Sequence, residues 1–355
     1  MRAARTRHHS PDRPTVAELA RLAGVSVPTV SKVINGRPDV APETRRRVEA
    51  IIAEKGYRRS ERASRRAALL EVIFHELESE WALEIVHGVE TAAREHHLAV
   101  VITESQGRRI PGRGWIEGIL DRRPVGLIVV FSNLSEGMQA QLKARGIPFA
   151  VVDPTGEPDH EMASVGATNW NGGLAATRHL LSLGHRRIGM ITGPSEILCS
   201  RARLDGYRSA MDAAGVPVDP YLIRFGDFHV ESGLKYASEM LRNPDPPTAI
   251  FAGNDLMAMG VYQAAREARL HIPEDLSVVG FDDLPVAKWV GPNLTTVRQP
   301  LAEMARIATE LVIRMAAGEE PPQTRLELAT ELVVRESTAA PGRARAGSVV
   351  TAAGA

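Results

Sequence analysis

The chain has 355 residues, of which 44% are hydrophobic and 24% are charged, a composition typical of a globular protein with two or three domains. Its one cysteine, Cys199, excludes an internal disulfide framework, and no apolar run approaches the roughly 18 residues that a membrane-spanning helix needs. The basic N-terminus lacks the apolar segment of a secretory signal, so we expect a cytoplasmic protein without membrane contact.

Positive charge is concentrated at the N-terminal end of the chain. Residues 1–13 are predicted to be a disordered basic tail. Between Met1 and Arg66 there are 16 Lys and Arg against 7 Asp and Glu, whereas the remaining residues hold 27 against 36. Because the chain as a whole is neutral, one strongly basic end indicates a nucleic-acid-binding end.

The stretch from Thr15 to Arg37 is predicted to form two short helices joined by a tight turn. Apolar residues of the first helix recur at helical spacing, and Gly24 follows them as a helix-ending residue. Ser26 is a suitable N-cap for the second helix, and Pro28 lies in its first turn, where no backbone N–H is needed. Such a pair is typical of the helix-turn-helix, whose second helix enters the major groove of DNA. An ordinary helical hairpin is the alternative, and the basic charge favours the DNA reader.

The rest of the N-terminal end completes this predicted domain. A third helix is predicted from Pro42 to the residue before Gly56, with an apolar stripe that faces a small core. Residues 58–67 are basic and carry no apolar stripe, so they are predicted to be a hinge or linker that orders only against DNA. The predicted DNA-binding domain is therefore residues 14–57.

From Leu69 onward, short apolar runs alternate with helical segments, which predicts parallel sheets covered by helices on both faces. One helix is predicted over Leu204–Ala214, and the last strand is predicted over Leu328–Val334. Two such sets, with a late return of the chain from one to the other, predict two doubly wound lobes around a cleft. Residues 339–355 are predicted to be a disordered tail.

Several separated motifs, in this order along the chain, closely resemble those of the LacI/GalR family of bacterial transcriptional regulators. The matching segments are TVAELARLAGVSVPTVSKVIN (15–35), ETRRRVEAIIAEKGY (43–57), LLSLGHRRIGMITGP (180–194), RLDGY (203–207), NDLMAMG (254–260), SVVGFDD (277–283) and LTTVRQ (294–299). The resemblance implies an N-terminal all-α headpiece, a hinge helix, and an α/β core of two doubly wound lobes like a periplasmic sugar-binding protein. A ligand would then lie between the lobes, at the carboxyl ends of their strands.

The resemblance also implies domain boundaries and partners. The core would cover residues 68–338, with lobe one at about 68–167 and 299–325 and lobe two at about 168–298 and 326–338. The protein would bind a palindromic operator as a homodimer in the cytoplasm, on the nucleoid. A small-molecule effector would close the cleft and lower operator affinity. No cofactor, metal ion or catalytic residue is expected.

DNA contacts are expected mainly on the second helix, where small or apolar exposed side chains allow the backbone to approach base edges. The exposed positions of that helix are Val27, Pro28, Thr29, Ser31 and Lys32. Further DNA contacts are expected at Thr15, Asn35, Tyr57, Arg65 and Arg66. Arg66 stands where the family usually has a leucine that wedges into the minor groove and kinks the DNA. Arginine is a poor wedge but can enter a narrow minor groove electrostatically, so groove or phosphate contact is expected and the kink is placed in doubt.

Effector contacts are expected at polar residues just after the strands. The family match places them at Asp153, Arg203, Asn254 and Asp282, with Arg203 opening the RLDGY helix. The guanidinium of an arginine offers five donors in a planar fork, which suits an array of hydroxyls. Asn254 has an alternative role, because it stands at a predicted helix start and a helix cap needs the same side chain.

Aromatic residues near the cleft loops are candidate stacking surfaces for the apolar face of a sugar: Trp81, Phe228 and Trp289. For Trp81 and Trp289, surface or interface packing is the alternative. An acidic rim of His75, Glu76 and Glu80 is expected at the same mouth, and acidic groups with few rings favour a mono- or oligosaccharide.

Three other functions remain as alternatives. The first is a regulator of the same family that responds to a purine or nucleoside as co-repressor. The second is a solute-binding transport protein, against which the basic headpiece and the missing secretory signal argue. The third is an enzyme, but the Gly-rich stretch at 166–173 lacks the Lys-Ser/Thr of a phosphate-binding loop, and no nucleophile–base pair or metal-spaced cluster is evident.

Overall fold

The computed structural model describes residues 15–34, 40–55, 67–77, 79–105, 113–131, 134–156 and 162–342. The predictions for the tail at 1–13, for Asn35, Tyr57, Arg65 and Arg66, and for nearly all of the linker fall outside these residues. Within the described ranges, none of the helices has the length and apolar character that crossing a membrane requires.

The N-terminal end is all-α and contains the predicted helix-turn-helix. Its helices are α1 (Val16–Ala23), α2 (Val27–Ile34) and α3 (Pro42–Glu54). Thr15 and Glu18 form a reciprocal capping box at the start of α1, and Gly24 ends that helix in the left-handed conformation at φ 63°. Ser26 Oγ accepts a hydrogen bond from the backbone N–H of Thr29, so the predicted cap of α2 is confirmed.

One small apolar core holds these three helices together. Leu19, Val30 and Val48 come from one helix each, and all three are almost completely buried. Their contact explains the spacing of apolar residues in the sequence, because each helix presents a single buried face.

The remaining described residues form two lobes of alternating strands and helices. The helices are α4 (Glu80–Glu95), α5 (Arg113–Arg122), α6 (Glu136–Ala144), α7 (Asn169–Ser182), α8 (Leu198–Ala213), α9 (Val230–Leu241), α10 (Asp255–Glu267), α11 (Val286–Trp289) and α12 (Leu301–Ala316), with a short 3₁₀ turn at Pro220–Leu222. The strands are β1 (Leu69–Phe74), β2 (Ala99–Glu104), β3 (Gly126–Val130), β4 (Phe149–Val152), β5 (Ala163–Ala167), β6 (Ile188–Thr192), β7 (Ile223–Phe225), β8 (Ala249–Ala252), β9 (Ser277–Asp282), β10 (Thr295–Arg298), β11 (Arg325–Leu328) and β12 (Glu331–Val333).

Each lobe is built on a six-stranded sheet. Lobe one has the strand order β11-β5-β4-β3-β1-β2, and all of its neighbouring strands are parallel. Lobe two has the order β12-β10-β9-β8-β6-β7, and only its edge pair, β10 with β12, is antiparallel. In each sheet the winding direction reverses next to the first strand, between β1 and β3 and between β6 and β8. Ligands of doubly wound sheets bind at such reversal points, outside the carboxyl ends of the strands.

The last passage of the chain between the lobes differs from the prediction. The predicted strand Leu328–Val334 is wrong, because β11 pairs with β5 in lobe one whereas β12 pairs with β10 in lobe two. The chain therefore crosses between 328 and 331, three residues later than expected. Thr330 lies in this crossing and exchanges hydrogen bonds with Thr168, which lies in the first crossing.

Three further predictions need correction. Helix α5 was not predicted, because its glycines and arginines hide the apolar pattern. Helix α8 begins six residues before the predicted start, so Arg203 lies inside it and does not open it. Residues 339–342 are described, and Ala339 exchanges hydrogen bonds with Ser277 and His185, so the predicted disordered tail cannot begin at 339.

Candidate functional site

A cavity of about 430 Å³ lies between the two lobes, at the carboxyl ends of their strands. Its volume falls in the range of about 300–1,000 Å³ that is typical of small-molecule sites. Of the predicted effector residues, those that line it are Trp81, Asp153, Arg203, Phe228, Asn254 and Asp282. The structure therefore brings together six side chains that are spread over 200 residues of sequence.

Helix α8 carries Arg203 into the cavity because it packs closely on α7. A side chain at Gly173 would collide with the Arg203 backbone, with a Cβ only 2.3 Å from its carbonyl oxygen. A Cβ at Gly206 would likewise approach the Trp170 carbonyl oxygen to 2.2 Å. These two glycines allow the helices to approach so closely that Arg203 reaches the strand ends of lobe two.

The Arg203 guanidinium is buried, with 3% of the residue exposed, and each of its three nitrogens faces a polar group of the protein. Its Nε donates to Asn169 Oδ1 at 2.9 Å, and one terminal nitrogen donates to the Gly253 carbonyl at 2.5 Å. The other terminal nitrogen lies 3.8 Å from Asp282 Oδ1. The guanidinium also lies over the Phe281 ring, 3.7 Å from its centroid. These contacts fix the orientation of the side chain before any ligand binds.

Two buried carboxyl groups share the positive charge of Arg203. Burial raises the pKa of Asp153, although Arg203 and a hydrogen bond from the Cys199 thiol act in the opposite direction. Burial likewise raises the pKa of Asp282 to about 7, against the effects of Arg203 and of a hydrogen bond from Gln299. Ligand hydroxyls that donate to these carboxylates would replace the water that burial has removed.

Asn254 caps a helix, as its alternative role predicted, and it also lines the cavity. Its Oδ1 accepts from the Met257 N–H at 2.9 Å, and its Nδ2 donates to the Phe228 carbonyl at 2.9 Å. The neighbouring Asp255 is buried and joins Thr296 Oγ1 to the backbone N–H of Leu284. Burial, together with Asp282, raises the pKa of Asp255.

Three aromatic rings form one wall of the cavity. Phe131 lies at its centre, with ring centroids 6.0 Å from Trp81 and 5.9 Å from Phe228 in edge-on arrangements. Because Trp81 and Phe131 belong to lobe one and Phe228 to lobe two, this wall spans the cleft. Phe131 was missed in the sequence, where it reads as the last residue of an apolar strand.

Trp289 does not belong to this site. It lies at the end of α11 with 73% of its surface exposed, and it is not among the residues that line the cavity. The structure therefore does not bring Trp289 to the cavity that the other six predicted residues line. Its exposed position agrees with the alternative role, packing at the surface.

Residues at the strand ends adopt backbone conformations that are rare outside glycine. Phe131, Asp153, Phe228 and Asp282 have φ values of 47°, 50°, 75° and 120°. Such conformations cost about 1–3 kcal/mol each and are concentrated at functional sites. Here they turn side chains that would otherwise continue a strand into the cavity.

The predicted acidic rim is present at the mouth, where it joins the lobes. Glu76 of lobe one lies between two histidines, with its oxygens 3.4 Å from His75 Nε2 and 3.4 Å from His229 Nε2 of lobe two. Glu80 accepts a hydrogen bond from the Val286 N–H at 3.3 Å. Deeper in the cleft, the Leu198 N–H donates to the Thr155 carbonyl at 2.9 Å.

The candidate DNA-reading surface lies on α2. Val27, Pro28 and Lys32 are exposed, and Thr29 and Ser31 are half-buried, which agrees with the predicted exposed face. Thr29 Oγ1 lies 2.8 Å from Ser26 Oγ, so this hydroxyl also supports the helix start. Thr15 has a structural role, because its side chain belongs to the capping box of α1.

The cavity has the chemistry of a binding site for polyhydroxylated molecules. In the part of the chain that the structure describes, no three His, Cys, Asp or Glu side chains are arranged to hold a metal ion. Burial and Asp153 raise the pKa of Cys199, so its thiol stays protonated and is a poor nucleophile. A pair of carboxyl groups in a sugar-sized cleft is also found in glycoside hydrolases, and comparison with known proteins distinguishes the two cases.

Two family profiles match the chain. One, described as bacterial regulatory proteins of the lacI family, matches residues 15–60, and the other, a periplasmic binding protein-like domain, matches residues 177–338. The first covers the three N-terminal helices, and the second covers nearly all of lobe two and the late return of the chain.

Relatives and solved structures match the chain over nearly its full length. The HTH-type transcriptional regulator CelR of Thermobifida fusca is 35% identical over 92% of this chain and 98% of its own. A structure described as a transcriptional regulator CelR–cellobiose complex is 34% identical, with a TM-score of 0.70, over 92% of this chain and 100% of that one. The lac repressor dimer bound to operator and the anti-inducer ONPF is 27% identical, with a TM-score of 0.67, over 92% and 100%. These proteins are transcriptional regulators and not enzymes.

Proposed function

Because the chain belongs to the lacI family of bacterial regulatory proteins and is a DNA-binding transcriptional regulator, we propose that it represses carbohydrate-utilisation genes and that a sugar releases it from its operator. The observation that carries this proposal is the pairing of a buried polar array, Arg203 with Asp153 and Asp282, and an aromatic wall in one cavity. A sugar ring presents hydroxyls at its edge and an apolar face, so it matches both surfaces at once.

The site residues follow from this arrangement. Arg203, Asp153, Asp282 and Asn254 bind effector hydroxyls, and the rings of Trp81, Phe131 and Phe228 pack against the sugar face. A mono- or oligosaccharide fits the volume of about 430 Å³. CelR, a relative of this chain, has been solved with cellobiose, which supports a sugar effector here.

We further propose a palindromic operator bound by a homodimer in the cytoplasm, on the nucleoid. The lac repressor is a dimer on its operator in the solved structure, and this chain aligns with all of that chain. Two copies of α2 would then read two half-sites with Val27, Pro28, Thr29, Ser31 and Lys32. Asn35, Tyr57, Arg65 and Arg66 are proposed as additional DNA contacts.

Release of the operator would follow from closure of the cleft. A sugar that contacts both lobes favours the arrangement in which Glu76 reaches His229 and Glu80 reaches Val286. If closure lowers operator affinity, then operator binding must lower sugar affinity by the same factor. A purine or nucleoside co-repressor would produce the opposite sign, with tighter operator binding when the ligand is present.

The experiment is operator binding by the full-length protein. Labelled duplexes selected from a random library by the wild-type protein are titrated with and without each sugar that raises the Tm in a thermal-shift screen. We expect palindromic duplexes to be selected and a sugar to weaken their binding. Tighter binding with a purine, and no effect of any sugar, would favour the co-repressor. No selected sequence at all would contradict the operator proposal.

A second measurement tests the reading helix. Lys32→Ala should cost about 1–3 kcal/mol of operator affinity and relax preference at one position of the selected duplex. The matched control is Lys55→Ala, because Lys55 follows α3 and pairs with Glu54 at 2.9 Å. A uniform loss across all sequences would assign Lys32 to a phosphate and not to a base.

A further inference from the structure

Acidic side chains occupy the helix N-termini around the cavity. Three helices begin at its edge: α4, α9 and α10, whose first-turn residues Trp81, Val230 and Leu256 line it. Each of these helices carries an acid in its first turn, at Glu80, Glu231 and Asp255 respectively. A carboxylate in the first turn offsets the partial positive charge that a helix N-terminus offers to an anionic ligand.

A fourth helix, α8, also begins at the cavity and has no acid in its own first turn. Lobe one supplies one instead, because Asp153 accepts a hydrogen bond from the thiol of Cys199, the second residue of that helix. Helix N-termini are the usual phosphate sites of doubly wound folds. In this cavity each of these four positions already has a carboxyl group of the protein, although burial raises the pKa of Asp153 and Asp255 and so weakens their share of the negative charge.

The cations of the cavity do not compensate for these acids. Among the described lining residues, five carry carboxyl groups and one carries a permanent positive charge. That one cation is Arg203, which donates to Asn169 and Gly253 and faces Asp282. A phosphate ester entering the cleft would pass Glu76, Asp227 and Glu231 and would find no lysine among the described lining residues.

We propose that the cavity selects an uncharged sugar against its phosphate ester, and that Asp227 and Glu231 at the mouth determine this specificity. The proposal rests on the sugar-binding function proposed above and adds the charge of the effector to it. The aromatic wall contributes nothing to this choice, because a sugar and its phosphate ester present the same apolar face. The discrimination is electrostatic, so it decreases as ionic strength rises.

The test compares matched pairs of probes in a thermal-shift titration of the full-length protein. The pairs are ribose with ribose 5-phosphate, glucose with glucose 6-phosphate, and cellobiose with cellobiose 6-phosphate, all at one low ionic strength. For any pair in which one member binds, we expect the ester to bind at least about tenfold more weakly, which corresponds to about 1.4 kcal/mol. An ester that binds as tightly as its parent sugar, or more tightly, overturns the proposal.

Two variants locate the effect. The double substitution Asp227→Asn with Glu231→Gln keeps the shape of both exposed side chains and removes two charges, so it should narrow the ratio of the two affinities by about tenfold. Glu239→Gln is the matched control, because Glu239 lies on the same helix, α9, pairs with Arg224 and does not line the cavity. Equal narrowing by the control and the double variant would overturn the assignment to the mouth.

If no sugar binds, the proposed function is contradicted, but the charge selectivity of the cavity can still be tested. Inorganic phosphate is the probe for that test. At low millimolar concentration and constant ionic strength, phosphate should leave the Tm of the wild-type protein and of Glu239→Gln unchanged. It should raise the Tm of the double variant. A rise for the wild-type protein as large as that for the double variant would show that the cavity accepts anions as it stands.

Discussion

The two lobes share one topology, yet they line the cavity with different chemistry. Lobe two contributes Arg203, Asn254 and Asp282, all of them buried and held by hydrogen bonds within that lobe or to its crossing segments. Lobe one contributes the rings of Trp81 and Phe131, and the Phe131 ring meets the Phe228 ring of lobe two. This difference indicates that lobe two recognises hydroxyls with a preformed array, whereas lobe one completes the site when the cleft is closed.

Asp153 is the exception that joins the two lobes. It belongs to lobe one, but its hydrogen-bond donor, Cys199, lies on α8 of lobe two. If the comparison is correct, substitutions in lobe two should mainly lower effector affinity. Substitutions in lobe one should mainly weaken closure and its effect on the operator.

The largest effect is expected from Arg203→Lys. Lysine keeps the charge but cannot reproduce the planar fork, so effector affinity should fall by about 2 kcal/mol or more. Arg203→Ala is less informative, because it leaves two buried carboxyl groups without their cation and also destabilises the fold. Calorimetric titration measures the loss, and Arg208→Lys is the control, since Arg208 is on the same helix and half-exposed. Equal affinities of the Arg203→Lys variant and the wild-type protein would contradict the polar role of lobe two.

The next effect concerns pH and Asp282. Its pKa is raised to about 7, so the native state holds this proton more tightly than the unfolded chain. The contribution of the Asp282 proton to the free energy of unfolding is complete below about pH 4. It is lost as pH rises to about 7, and the free energy of unfolding falls by at most about 1.4 kcal/mol per pH unit. Asp282→Asn should therefore gain stability relative to the wild-type protein over this window, as measured by urea unfolding at a series of pH values.

A control of opposite sign is available at Asp227. Burial alone would raise its pKa, but hydrogen bonds from Ser232 and from the His229 N–H lower it. Asp227→Asn should therefore lose stability relative to the wild-type protein as pH rises from the lowered native pKa to the ordinary carboxyl pKa of about 4, and the difference should stay constant above it. Parallel curves for all three proteins would show that neither carboxyl group titrates differently in the native state.

A smaller effect is expected from Phe131→Leu in lobe one. The substitution keeps an apolar side chain and removes two edge-on ring contacts, so it should weaken closure, and with it effector affinity, by about 0.5–1.5 kcal/mol. Trp289→Phe is the matched control, because Trp289 lies outside the cavity, and it should leave that affinity unchanged. If Trp289→Phe lowers effector affinity as much as Phe131→Leu does, then Trp289 contacts the effector after all.

The smallest effect is expected from Glu80→Gln, which weakens one hydrogen bond between the lobes. The backbone N–H of Val286 would exchange a charged acceptor for a neutral one, which costs about 0.5 kcal/mol of closure. The sugar should then bind slightly more weakly and release the operator less completely. If affinity and release are both unchanged, this contact does not contribute to closure.

Much of the architecture could be predicted because the spacing of apolar residues and the sequence motifs indicate the same elements. The buried faces of α1 and α2 and the helix-ending glycine at φ 63° follow from patterns that the sequence displays. Asp153, Asn254 and Asp282 were predictable because they stand at the ends of strands, and parallel strands place their carboxyl ends at one edge of a sheet. The prediction for Arg203 came from the resemblance of RLDGY to the family motif. The basic end of the chain likewise distinguished a DNA reader from a helical hairpin.

The errors have a common physical cause, namely contacts between segments that are distant in sequence. Phe131 faces the cavity because its φ is positive, and only its neighbours in the fold stabilise such a conformation. Strands β11 and β12 are separated by two residues yet join different sheets. The spacing of apolar residues predicts a strand, but it does not show with which sheet the strand pairs. Trp289 was placed near the cavity from its position after Asp282, and the short helix α11 carries it outward.

We propose that a sugar in the interlobe cavity controls operator affinity through Arg203. The most direct measurement is fluorescence anisotropy of a selected operator duplex, titrated with wild-type protein and with Arg203→Lys, each with and without the sugar that gives the largest thermal shift. We expect equal operator affinity for both proteins without sugar, and release by sugar of the wild-type protein alone. Release of Arg203→Lys at the same sugar concentration would contradict it.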